Sequence, residues 1–110
     1  MTTINARPRV RVPRTASAGE AVEIKTLITH PMETGHRRDA DGELVPRRII
    51  ERFTCDFNGE RVIDMRIHGG VSANPYFEFW ATVPESGTFT FEWHDESGDV
   101  YTDSADIRVS

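Results

Sequence analysis

Five side chains in this 110-residue chain could hold a metal or attack a substrate outright: the histidines His30, His36, His68 and His94, and the single cysteine Cys55. His30 and His36 stand six residues apart with Asp39 and Asp41 close behind, which is not the His-x-x-x-His spacing that brings two imidazoles onto one metal. Asp39-Ala40-Asp41-Gly42 is similar to a fragment of a calcium loop, but the further oxygen ligand before the glycine and the closing Glu are missing. These residues read as solvated polar loop, and His68 and His94 as ordinary histidines near strand ends. Cys55 is in phase with Phe53 and Phe57, so it is expected on an inward strand face. A thiol buried among aromatics has its pKa raised and is inert. One cysteine allows neither an internal disulfide nor a cysteine-based metal cluster. Asp95, Glu96 and Asp99 fall in a turn, where Asp is favoured for local geometry. There is no Gly-x-Ser-x-Gly elbow, phosphate loop or dinucleotide fingerprint. No catalytic residue, cofactor site or metal site is expected.

The elements that would carry these residues announce themselves by alternation with period two, the mark of half-buried strands. Arg9-Val10-Arg11-Val12 alternates and stops at Pro13. Val22, Ile24, Thr26 and Ile28 share one face, against Glu23 and Lys25. Phe53, Cys55 and Phe57 alternate with Thr54 and Asp56, and Asn58-Gly59 follows as a two-residue hairpin signal. Ile63, Met65 and Ile67 come next, then Phe77, Phe79, Ala81 and Val83, then Phe89, Phe91 and Trp93. Ile107 and Val109 close the chain. Turn clusters at 18–20, 84–87 and 95–99 separate the runs. About seven short strands in one domain spanning 1–110 predict an all-β, immunoglobulin-like antiparallel β-sandwich, with residues 1–6 as a disordered tail.

One connection does not fit that rhythm. Residues 30–48 are longer than a compact domain commonly leaves without structure, and long loops of this kind are often functional. Asp41-Gly42 near the middle could instead turn a two-stranded excursion. A second anomaly is Trp80, which falls on the polar face with Glu78 and Thr82 and shares its phase with Tyr76. A large aromatic there is either capped by a loop or part of a binding surface.

Composition narrows the partners. The chain is 37% hydrophobic and 28% charged with a net charge of −5, and no apolar run approaches the roughly 20 residues that span a bilayer. An acidic chain argues against nucleic acid, since phosphate neutralisation needs a dense basic face. Charge is also uneven: residues 1–55 hold ten basic and seven acidic side chains, residues 56–110 three and eleven. Twelve of the 13 cations are Arg, whose planar fork suits ordered carboxylate contacts.

Taken in order, several segments resemble the SoxZ family, the small subunit of the SoxYZ carrier of bacterial thiosulfate oxidation. They are Pro8-Arg9-Val10-Arg11-Val12-Pro13, Ala18-Gly19-Glu20, His30-Pro31-Met32-Glu33-Thr34-Gly35, Pro46-Arg47-Arg48-Ile49-Ile50, Phe53-Thr54-Cys55 and Ser72-Ala73-Asn74-Pro75-Tyr76-Phe77. The resemblance runs from about Arg7 to Val109, and Gly69-Gly70 departs from it. It implies an immunoglobulin-like sandwich without catalytic residues, paired with a SoxY-type subunit that carries the sulfur intermediate on a cysteine in a Gly-Gly-Cys-Gly-Gly tail. Other Sox enzymes would be met transiently. This chain ends Ile107-Arg108-Val109-Ser110, so Cys55 is not that carrier thiol. The N-terminus has no apolar h-region. The resemblance implies a periplasmic destination reached by export together with a SoxY-type partner that bears the signal.

Under this reading the partner interface is expected to draw on Met32, His36, Arg37, Arg38 and Asp39, then Arg47 and Arg48, and finally Asn74, Pro75, Tyr76 and Trp80. Arg and aromatic residues are the side chains interfaces favour. The rival reading is a free-standing sandwich module, with Tyr76 and Trp80 stacking on a sugar or the Asp95–Asp99 turn taking calcium.

Overall fold

Each alternating run is a strand in the computed structural model, which describes residues 6–68 and 71–110. Most of the tail expected at 1–6 and the Gly69-Gly70 departure lie outside the described residues, while Ala6 packs partly buried against the core. The strands are β1 (Arg7–Arg11), β2 (Thr15–Ala16), β3 (Glu20–Thr29), β4 (Ile50–Phe57), β5 (Glu60–Arg66), β6 (Tyr76–Val83), β7 (Gly87–Asp95) and β8 (Val100–Val109). They form a three-stranded sheet in the order β1-β3-β6 and a five-stranded sheet in the order β2-β8-β7-β4-β5.

Among the described residues there are eight strands where about seven are expected. The additional one is β2, whose two residues pair with β8 in parallel at Thr15↔Arg108 and Ala16↔Val109; two residues cannot display an alternation. β8 also starts well before Ile107, because its early inward positions, Tyr101, Asp103 and Ala105, are small or polar and hide the period. The other neighbouring strands pair antiparallel.

The core is the set of in-phase apolar residues brought face to face. Val22, Ile24 and Ile28 of β3 and Ala81 and Val83 of β6 meet Phe53, Cys55 and Phe57 of β4 and Phe89, Phe91 and Trp93 of β7. Phe53 sits at the centre, its ring centroid 5.1 Å from Trp93 in its own sheet and 5.3 Å from Phe77 in the other. Tilted and offset ring pairs of this kind add to the area term that drives the two sheets together.

At one end of the sandwich the β4–β5 hairpin is pinned to the β6–β7 turn. Asn58 and Gly59 both take positive φ, 50° and 85°, which the two-residue turn requires. The Asn58 amide then accepts from Thr88 N–H and donates to the Ser86 carbonyl, filling the space where a side chain at position 87 would stand. Gly87→Ala is therefore expected to displace that amide and lower stability by about 1–2 kcal/mol in urea unfolding. In an Asn58→Gly background the same substitution should cost markedly less; equal costs in both backgrounds would disprove the steric link.

Candidate partner-docking site

Three features offer chemistry beyond the core: a buried polar network at the other end of the sandwich, the excursion it braces, and an exposed aromatic face. The network starts at His30, the residue that follows β3. Its ring is fully buried, contrary to the solvated role expected for it. Nδ1 accepts from the Met32 N–H at 2.9 Å and Nε2 lies 2.8 Å from Asp95 Oδ2. The Nε2-protonated tautomer satisfies both contacts. Asp95, the last residue of β7, is equally buried. It also receives Arg48 Nε at 3.1 Å, Tyr101 O–H at 3.3 Å and Ser97 N–H at 2.9 Å. Burial pushes its pKa up, but the hydrogen bonds from Ser97, His30 and Arg48 outweigh burial and hold the carboxyl below its ordinary range. Burial and the adjacent carboxylate together raise the Tyr101 phenol.

The turn reading of Asp95 was therefore half of its role: the Ser97 bond is the local turn, and His30 and Arg48 are the tertiary one. No carboxylate of this turn stands idle. Arg48 Nη2 reaches Asp99 at 2.7 Å, and Glu96 accepts from Ile49 N–H and from Arg47. A calcium ion would have to displace these donors.

The stretch from His30 to Arg48 folds back on itself through two isolated backbone bridges, without a strand of its own. Glu33 and Arg48 exchange backbone bonds at 2.8 Å in both directions, and Arg38 bridges Leu44. At the tip Asp39 Oδ1 accepts from the N–H groups of Asp41 and Glu43, and Gly42 turns the chain at φ 81°. The apparent calcium fragment is thus an aspartate-capped turn.

The residues expected at a partner interface separate into three groups. Met32 is only 4% exposed and belongs to the core, with Sδ accepting from Ile50 N–H; the flexible thioether fills the space beneath the excursion. Pro75 is buried as well. Both side chains are packed inward within the chain rather than displayed on its surface. Asn74, at φ 55°, receives the His30 N–H on Oδ1 and donates its own N–H to the His30 carbonyl. It closes the end of the β3–β6 pair. On the excursion, His36, Arg37, Arg38, Asp39 and Arg47 are exposed and Arg48 is half-buried. Arg37 forks onto Glu33, Arg38 donates to the Gly42 carbonyl and Arg47 meets Glu96.

The third group is Tyr76 and Trp80, 51% and 65% exposed, on the outer face of β6. Leu27, opposite Tyr76 on β3, adds a further exposed apolar side chain. The side chains that sequence reasoning missed are Arg9, Arg11 and Leu27, which join this face through the register Arg9↔Leu27↔Tyr76 and Arg11↔Lys25↔Glu78. The polar phase of β1 pointed to an outward face, but only strand order shows which sheet it borders. Cys55 is fully buried, with burial first and Asp56 second pushing its pKa up to about 12; the thiol is unreactive.

The architecture and this surface define an immunoglobulin-like β-sandwich with a braced excursion and an exposed aromatic face. The family model for the sulphur oxidation protein SoxZ matches residues 10–106, and the chain belongs to the SoxZ family. That places it in the Sox system as a carrier or scaffold subunit. Among solved structures it is similar to the sulfur carrier protein SoxY from Chlorobium limicola f thiosulfatophilum, at 9% identity and a TM-score of 0.65, over 94% of this chain and 78% of that one. It is also similar to a superoxide reductase (neelaredoxin) from Ignicoccus hospitalis, at 14% identity and a TM-score of 0.71, over 94% and 80% of the two chains. A third similar structure is a CARDB domain from Pyrococcus furiosus, at 13% identity and a TM-score of 0.57, over 99% and 100%. At these identities the likeness is one of fold. No curated protein matches the chain.

The network yields a direct test. Asp95→Asn turns one acceptor oxygen into a donor facing His30 and Arg48, and is expected to cost about 3 kcal/mol at pH 7 in urea unfolding. Because the folded carboxyl is held below its unfolded value, its contribution is complete above about pH 4. It fades as pH falls through the lower folded value, so the gap between wild type and variant should close in acid. A gap independent of pH would show that the charge on Asp95 is not what stabilises the clasp.

Proposed function

We infer that this chain is a non-catalytic scaffold subunit that pairs with a SoxY-type subunit to form the carrier of sulfur intermediates in thiosulfate oxidation. The observation that carries this reading is the SoxZ family match over residues 10–106. The site is consistent with it on physical grounds. The thiol is sealed in the core, the buried histidine and carboxylate are committed to one another, and the surface offers aromatic and arginine anchors of the kind protein partners use. The carrier cysteine then belongs to the partner, and this subunit supplies a rigid body against which that arm is presented to other Sox enzymes in turn. The proposed compartment is the periplasm, reached together with the SoxY-type subunit.

Co-expression with the SoxY-type protein of the same source, followed by size-exclusion chromatography and mass analysis, should give a stable one-to-one complex. Two separate peaks, with thermal shifts on adding sugars or calcium, would replace the scaffold by a ligand-binding module. Cys55→Ser should destabilise the subunit by about 1–3 kcal/mol, because it buries a hydroxyl among aromatics. Sulfur loading of the complex should be unchanged, and loss of loading in a folded variant would contradict the inert role of this thiol.

A further inference from the structure

The arginines of the chain fall into two populations. Those of the excursion are engaged within the chain: Arg37 with Glu33, Arg38 with the Gly42 carbonyl, Arg47 with Glu96, and Arg48 with Asp95 and Asp99. Those of the outer sheet faces at Arg52 and Arg61 are likewise paired, with Asp64 and Asp56. Arg14, Arg66 and Arg108 also form no ion pair among the described residues, but they stand on separate segments, whereas Arg7, Arg9 and Arg11 are grouped on one strand. They project at alternate positions from β1, an edge strand of the three-stranded sheet, are exposed, and meet no carboxylate among the described residues. Their strand lies beside Lys25 and Leu27 of β3, and beyond that stand Tyr76 and Trp80 of β6.

This face is about 10 Å wide across its three strands and about 13 Å long from Tyr76 to Trp80, by strand spacing and rise. Its own carboxylates are Glu23, next to Lys25, and Glu78, which accepts the Tyr76 hydroxyl. Four cations against two carboxylates leave it positive, on a chain whose net charge is −5. A shallow groove lined by Arg9, Arg11, Lys25, Leu27 and Tyr76 runs along it. Aromatic anchors beside arginines without partners are the side chains that carry most of the energy in protein interfaces.

We propose that the outer face of the β1-β3-β6 sheet, with Trp80 and Tyr76 as anchors and Arg9 and Arg11 as the charged rim, is the surface that docks the SoxY-type subunit, through a region of that subunit with an apolar recess bordered by carboxylates. This rests on the scaffold reading above and specifies where it acts. The positive charge of this face calls for an occupant with carboxylates at its rim. A second copy would oppose two positive faces, and a nucleic acid or an anionic membrane would meet Glu23 and Glu78 in the middle of the patch. The excursion is secondary for this contact, because breaking its internal bonds offsets what a partner could return.

The test measures the affinity of the intact chain for the SoxY-type subunit by titration calorimetry at two salt concentrations. Trp80→Ala and the pair Arg9→Glu/Arg11→Glu should each weaken association by about tenfold or more, and the arginine variant should flatten the salt dependence. Arg108→Glu, exposed on β8 of the other sheet, should stay within about twofold, and Arg37→Glu/Arg38→Glu should lose less than the β1 pair. All these side chains point outward, so a thermal melt confirms that each variant is folded. Wild type that fails to bind would sink the scaffold reading itself. Wild-type binding that survives both face variants, or that depends more on Arg37 and Arg38 than on Arg9 and Arg11, would overturn the placement alone. Face variants that change only self-association would reassign the surface to a second copy.

Discussion

A single buried carboxylate organises one end of this molecule. Removing Asp95 from water costs several kcal/mol unless its oxygens are met, and the fold meets them with a turn amide, a histidine, an arginine and a tyrosine. Each donor comes from a different place. Ser97 follows β7, His30 follows β3 of the opposite sheet, Arg48 stands at the base of the excursion, and Tyr101 lies on β8. The carboxylate therefore joins the two sheets and holds the excursion root in one step. Such a cluster is worth little if any member is lost, since the remaining groups stay buried without partners.

That clasp explains why the excursion has a defined shape although most of its side chains are in solvent. Its root is bound twice to the β7–β8 turn, by Arg48 to Asp95 and Asp99 and by the Ile49 N–H to Glu96. Beneath it Met32 plugs the gap between β3 and β4. Farther out, backbone bridges and the Asp39 cap carry the order to the tip. The arginines that looked like partner anchors are to a large extent the fastenings of this hairpin. Arginine suits that task, because its planar fork reaches a carboxylate and a second acceptor from one side chain.

The same economy leaves the outer face of the three-stranded sheet unspent. The five-stranded sheet covers its outside with cross-strand ion pairs such as Arg52 with Asp64. β1 and β6 instead present Arg7, Arg9 and Arg11, which form no ion pair among the described residues, and the exposed rings of Tyr76 and Trp80. Between the two faces lies an aromatic core around Phe53 that holds the sulfur of Cys55 out of reach. The result is a chemically quiet body whose single thiol is sealed in the core.

How much of this was legible in advance depends on the range of the interaction. Alternation along each strand is local, so the inward residues of β3, β4, β6 and β7, the inert place of Cys55 and the outward place of Trp80 followed from period alone, as did the hairpin at Asn58-Gly59. The order of segments likewise identified the family. His30 and Asp95 were different: their types suit a polar loop or turn, and their burial comes with partners 65 and 47 residues away along the chain. Nor could β1 be assigned to the edge of the sheet that carries Tyr76, because strand order depends on which strands close around the shared core. Side-chain phase is written residue by residue in the sequence, whereas pairing between distant carboxylates and cations exists only once tertiary packing has excluded water from between them.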